Sequence, residues 1–216
     1  GHEVVLFDMR QQALDASRSA LKKVMERLVE KGRVKVDEAK AIQNRFTYAT
    51  EINAFADCGL VIEAVIEDLA IKKQLFEQLG STVGPNAILA TNTSSLSVTS
   101  IAAACKLPER VIGLHFFNPA PLLPLVEVVP GLATHEQHTK ACVALMKAWG
   151  KTPVIAKDTP GFIVNRVARP FYGEALRIHE EGIADMATID HAMKTVGGFK
   201  MGPFELMDFI GHDVNY

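Results

Sequence analysis

The residue best suited to moving a proton is His115, which ends the apolar run Val111-Ile112-Gly113-Leu114. An imidazole there suits general acid–base work. Glu127 sits within Leu125-Val126-Glu127-Val128-Val129. A carboxylate flanked by four aliphatics needs a partner if it is buried, and an imidazole on a neighbouring strand would be one. The pair would hold His115 in one tautomer and stabilise its protonated form. The bland alternative is an edge strand with Glu127 facing water. Asn92 and Ser94 lie in the polar turn Thr91-Asn92-Thr93-Ser94-Ser95, where they either cap the following helix or offer Ser94 to a substrate hydroxyl or carbonyl. Asn165, inside Gly161-Phe162-Ile163-Val164-Asn165-Arg166, reads as a buried amide that needs a structural or ligand partner. Asp8 follows the strand-like Val4-Val5-Leu6-Phe7. An acid ending the second strand of a dinucleotide-binding unit accepts hydrogen bonds from the adenosine ribose and repels the extra phosphate of NADP; the other reading is an aspartate that starts a loop or caps a helix. A glycine-rich turn would be due ~20 residues earlier, ahead of Gly1. Arg10 leaves some room for NADP, but the reading is NAD.

These residues need a frame. The chain has 216 residues, 48% hydrophobic and 22% charged, which excludes intrinsic disorder. Its net charge of −2 gives no electrostatic case for nucleic acid or an anionic membrane. No apolar run approaches the ~20 residues of a membrane span. Cys58, Cys105 and Cys142 match no metal or redox spacing and read as small buried hydrophobes in a reducing compartment.

Strand and helix signals alternate. Val4–Phe7 reads as a strand, followed by a long helix with Leu14, Leu21, Val24, Met25 and Leu28 on one face and Gly32 as its stop. A shorter helix from about Asp37 precedes the extended Phe46–Thr50. Leu60–Val65 reads as a strand buried on both faces; a helix carries Ile71, Leu75, Phe76 and Leu79, and Ile88–Ala90 is the next strand. After a short helix at Val98–Ala104 come strands at Val111–His115 and Leu125–Val129, a helix at Glu136–Trp149 and a last strand at Val154–Ala156. The alternation predicts a parallel sheet with helices on both faces and ligands beyond the carboxyl ends of its strands. After Lys157-Asp158-Thr159-Pro160-Gly161 only helical patterns remain, at Phe162–Glu180, Thr188–Val196 and Pro203–Ile210. The boundary is placed between residues 157 and 158.

Five segments carry a resemblance to a known family: Thr91–Leu96, Gly113–Pro119, Leu125–Val129, Asp158–Arg166 and Met201–Asp208. Occurring in this order, they resemble the L-3-hydroxyacyl-CoA dehydrogenases of fatty-acid β-oxidation. The resemblance implies an α/β fold, a Rossmann-like doubly wound parallel sheet lacking its first strand and glycine-rich turn, over residues 1–157. Residues 158–216 would begin an all-α domain for dimerisation and substrate binding. It implies NAD as cofactor and an acyl-CoA thioester as substrate. His115 would be the general base and Glu127 its orienting acid, with Ser94 on the substrate oxygen and Asn165 contacting substrate at the domain junction. Asp8, Glu67, Lys72, Asn92 and Asn118 would line the NAD site, and Lys31 would help hold CoA, although the family's serine two turns earlier is replaced by Val24 and Met25. The stretch from Phe199 to Asn215 is similar to bacterial 3-hydroxyadipyl-CoA dehydrogenases, whereas Phe116-Phe117 argues against the gulonate-like branch that acts on small hydroxy acids.

Two alternatives stand beside this: a non-catalytic folding or dimerisation module, and a dehydrogenase of a small hydroxy acid. The chain starts within a strand without a methionine and stops at Asn215-Tyr216, so a longer parent is expected. Its place would be the bacterial cytoplasm, with the mitochondrial matrix as the other option.

Overall fold

The computed structural model describes residues 1–211; the resemblance drawn through His212–Asn215 lies outside them. Strand β1 (Val4–Phe7) leads into helix α1 (Gln11–Glu30), α2 (Val36–Asn44) and β2 (Phe46–Ala49), which pairs with β1 in parallel. Then follow β3 (Leu60–Glu63), α3 (Leu69–Thr82), β4 (Ile88–Thr91), α4 (Val98–Ala102), β5 (Val111–Phe116), β6 (Leu125–Pro130), α5 (Glu136–Ala148) and β7 (Thr152–Ile155). Strands β3 to β7 form one sheet in sequence order. Helices α6 (Val164–Glu180), α7 (Met186–Thr195) and α8 (Pro203–Ile210) complete the described chain.

The pleat sorts the core into two layers. Leu89, Val111 and Val129 face α3 and α4 and pack with Phe76, Leu79, Val98 and Ile101. Ala90, Ile112, Leu114, Val126 and Val128 face the other way, against Cys142 and Met146 of α5. Gly113 is required where α4 crosses the sheet, since a Cβ there would stand 2.9 Å from Val129 Cβ and 3.0 Å from Val98 Cγ2. A separate small core joins Ala175 of α6, Ile189 of α7 and Phe204 and Met207 of α8. There Asp190 accepts hydrogen bonds from the backbone N–H groups of Phe204 and Glu205, both at 2.9 Å, and so fixes the start of α8.

The α/β architecture with a following helical part is as expected, with three corrections. The sheet is not wholly parallel: β5 and β6 run antiparallel. Residues 117–124 alone connect them, fewer than the roughly twelve that a parallel crossover needs. The strand expected at Leu60–Val65 is not buried on both faces, since Ile62 is 36% and Val65 42% exposed. Val24, assigned to the inner face of α1, is also exposed.

Candidate active site

The antiparallel pairing of β5 with β6 sets His115 directly opposite Glu127. Opposed residues on neighbouring strands project to the same face, here the face covered by α3 and α4. The His115 Nδ1 and Glu127 Oε2 atoms are 2.7 Å apart, with both side chains buried. Glu127 Oε1 accepts hydrogen bonds from the backbone N–H groups of Ile163 and Val164, each at 2.9 Å. The carboxylate is thus held at the amino end of α6, where the unpaired N–H groups and helix dipole favour negative charge. With Oε1 engaged by two donors, Nδ1–H donates to Oε2 and the lone pair of Nε2 is left to accept a proton.

The turn into α6 is built for this contact. Gly161 and Phe162 have successive positive φ values of 75° and 44°. At Gly161 a Cβ would lie 3.3 Å from the Arg166 backbone nitrogen. Phe162 carries its side chain in the left-handed region, at a strain of order 1–3 kcal/mol, and is held by burial and by its N–H bond to the Thr159 carbonyl at 3.0 Å. Its ring lies 5.7 Å from the His115 ring, and Phe117 approaches the imidazole at 4.5 Å.

Ser94 is presented by the turn between β4 and α4. Glu67 Oε1 gathers that turn, accepting from the Thr93 hydroxyl, the Ser94 and Ser95 N–H groups at 3.0 and 3.2 Å, and the Ser95 hydroxyl. Burial pushes the Glu67 carboxyl up, but these donors and the Lys72 charge outweigh it and hold it below the usual range. The hydroxyl of Ser94 makes no hydrogen bond among the described residues, so it is open to a ligand. Asn92 Oδ1 accepts from the Phe116 N–H at 2.8 Å and ties the end of β4 to the end of β5.

Lys72 departs from expectation. Rather than lining an open site, it is 1% exposed, and its ammonium donates to Glu63 Oε1 at 2.6 Å and the Val65 carbonyl at 3.2 Å while pairing with Glu67 at 3.4 Å. Its four-carbon stem, laid along the buried face of α3 with Phe76 and Leu79, draws the charge inward. Asn165 is likewise not a buried, partnered amide. It is half-buried in the first turn of α6, and its side chain makes no hydrogen bond among the described residues. Asn118 is exposed in the β5–β6 connection, and Lys31 is exposed at the end of α1 with no side-chain bond to the other site residues. Asp8 lies just past β1, where its Oδ1 accepts from the Arg10 N–H at 2.8 Å; that bond, with the Arg10 guanidinium, holds its carboxyl below the usual range.

Three contributors were not singled out from the sequence. Glu63 sits among aliphatics in Leu60-Val61-Ile62-Glu63, the same signal that identified Glu127. Asp158 accepts from the Val98 N–H and, through its other oxygen, from Thr99 N–H and the Ser97 and Thr99 hydroxyls, all at 2.6–3.0 Å. It fastens the start of the helical part to α4 and carries a long-range signal that no local pattern reveals. Phe162 reads in sequence as an ordinary apolar residue.

Comparison with known proteins gives matches over the whole chain. Residues 1–159 match the description "3-hydroxyacyl-CoA dehydrogenase, NAD binding domain", and residues 161–216 match "3-hydroxyacyl-CoA dehydrogenase, C-terminal domain". The chain is 48% identical over 216 residues to 3-hydroxyadipyl-CoA dehydrogenase of Escherichia coli (strain K12), covering all of this chain and 46% of that protein. It is 41% identical over 219 residues to the mitochondrial hydroxyacyl-coenzyme A dehydrogenase of Homo sapiens, covering 99% of this chain and 70% of the relative. The crystal structure of 3-hydroxybutyryl-CoA dehydrogenase from Escherichia coli K12 superposes with a TM-score of 0.97 at 48% identity, over all of this chain and 46% of that one. The chain therefore spans about half the length of the E. coli relative.

Proposed function

Because the chain belongs to the 3-hydroxyacyl-CoA dehydrogenase family, we propose that it oxidises (3S)-3-hydroxyacyl-CoA to 3-oxoacyl-CoA with NAD, in β-oxidation or a related acyl-CoA degradation. The observation that carries this reading is the buried contact of His115 with Glu127, whose second oxygen is held by the amino end of α6.

NAD, when bound, supplies the acceptor for the hydride that leaves C3. His115 Nε2 takes the proton of the 3-hydroxyl, and Nδ1–H remains donated to Glu127. The carboxylate, fixed by two backbone donors, balances the imidazolium without moving. Ser94 binds the substrate oxygen through its unengaged hydroxyl, and Asn165 offers its amide from the first turn of α6. The residues present fit a dinucleotide. Asp8 has only one carboxylate oxygen engaged, which leaves the other for ribose hydroxyls. Glu67, Asn92 and Asn118 lie past the carboxyl ends of β3, β4 and β5, where α/β sheets take ligands. Lys72 acts on that site from beneath, through Glu67. Lys31 offers an exposed ammonium to the CoA phosphates. In this reading residues 1–157 hold the cofactor, and the part from Asp158 onward closes over the substrate.

The part from α6 to α8 exposes Val167, Val196, Phe199 and Phe209, which supports pairing with a second copy. Among the described residues no helix is long and apolar enough to cross a membrane. The three free cysteines, with burial pushing the Cys105 and Cys142 thiols up to about 11, suit a reducing compartment such as the bacterial cytoplasm.

The substrate assignment is tested by following NADH consumption by the intact protein with acetoacetyl-CoA and with free acetoacetate. Turnover of the thioester with the acid left untouched is expected. Preference for the free acid would move the protein to the small hydroxy-acid reading, and no turnover of either would contradict a dehydrogenase.

A further inference from the structure

Glu63 takes no part in the proton transfer, yet its side chain is only 1% exposed and is fully engaged. Its Oε1 accepts from Lys72 Nζ and from the Val65 N–H, both at 2.6 Å, and its Oε2 accepts from the Thr91 hydroxyl at 2.7 Å. Lys72 has one further carboxylate within reach, Glu67 Oε2 at 3.4 Å. The other oxygen of Glu67 is the one that gathers the Thr93–Ser95 turn. A single buried ammonium is therefore shared by two carboxylates, of which the inner is fixed by the sheet and the outer holds the Ser94 turn.

The division of charge gives Glu63 its consequence. A buried ammonium must keep a compensating carboxylate close. With Glu63 in place, Lys72 is held against β3 and the Val65 carbonyl, and Glu67 is free to give one whole oxygen to the turn. If Glu63 lost its charge, Glu67 would be the remaining acid for Lys72 and would be drawn off the turn toward it. We propose that Glu63 is a positioning residue that sets Ser94 through Lys72 and Glu67. The inference rests on Ser94 binding the substrate oxygen.

The test compares turnover per NADH-binding site in the intact protein, with sites counted by NADH titration so that misfolded material does not enter. Glu63→Gln keeps the size of the side chain and an acceptor for Thr91 but removes the charge. Its kcat is expected to fall about ten- to a hundredfold, the scale of a misplaced binding group, with the KM for acetoacetyl-CoA little changed. Glu63→Asp should recover part of the loss. Adding Glu63→Gln to Glu67→Gln should cost nothing further, because both act through one turn. A wild-type kcat per site in Glu63→Gln, or losses of the two substitutions that multiply, would overturn the proposal. Should Glu63→Gln fail to fold, Thr91→Val removes one donor to Glu63 and should give a smaller loss of the same kind; a wild-type kcat there would also overturn it. Ser94→Ala separates this from the reading beneath it. If that variant turns over normally, the role of Ser94 is wrong whatever Glu63→Gln does.

Discussion

Phe162 stands in the left-handed region at φ 44°, a conformation that costs a non-glycine residue roughly 1–3 kcal/mol. The molecule keeps it because one residue does two things: its backbone turns the next two N–H groups onto Glu127, and its ring packs beside His115. The two contributions separate by mutation. Phe162→Ala loses the buried ring and should destabilise the fold by roughly 3–5 kcal/mol. Phe162→Gly loses the same ring but relieves the backbone, so it should be more stable than Phe162→Ala by about 1 kcal/mol, the reverse of the usual order. Denaturant melts of the two variants check this, and an alanine variant more stable than the glycine one would contradict it. At this scale the sequence was legible where burial and charge conflict. Glu127 is legible because four aliphatics flank it, and Glu63 carries the same signal. The positive φ of Phe162 left no trace, since nothing in Gly161-Phe162-Ile163 says which of two successive residues leaves the ordinary region.

Elements reached across sequence by single carboxylates do more of the positioning than their own lengths suggest. Helix α4 has five residues, too few to be stable alone. Asp158 holds its first turn from sixty residues away. Burial raises the Asp158 carboxyl, but the Thr99 hydroxyl and N–H, the Val98 N–H and the Ser97 hydroxyl outweigh it and leave it below the ordinary range. Glu67 is lowered in the same manner. A carboxylate with a depressed folded-state pKa adds stability that is present above its unfolded value, about 3.9 for Asp and 4.3 for Glu, and lost as pH falls through the folded value. Stability should therefore decline on acidification below about pH 4. Asp158→Asn should be less stable than wild type at neutral pH and less sensitive to acid, measured as melting temperature against pH. Equal acid sensitivity in the two proteins would contradict the assignment. Helix and strand positions were largely legible from periodicity, but the sense of β6 was read from the βαβ rhythm when the short connection 117–124 should have decided it. That antiparallel sense is what sets His115 opposite Glu127.

Across the whole molecule, the sheet and the helical part, whose cores share no buried residue, both reach the Glu127 carboxylate, one oxygen of which pairs with His115 while the other accepts from the backbone at the start of α6. The architecture was legible because strand–helix alternation ends abruptly near Asp158. The exposure of Ile62 and Val24 was not, because the apolar character of a residue says nothing of which neighbour covers it. Such an arrangement ties the placement of α6 and the hydrogen bond of His115 to the same acid. The most direct test is the turnover of His115→Gln with acetoacetyl-CoA and NADH, measured beside NADH affinity. A loss of about 10²–10⁴-fold in kcat with NADH binding unchanged is expected, whereas turnover near the wild-type rate would show that another group takes the proton.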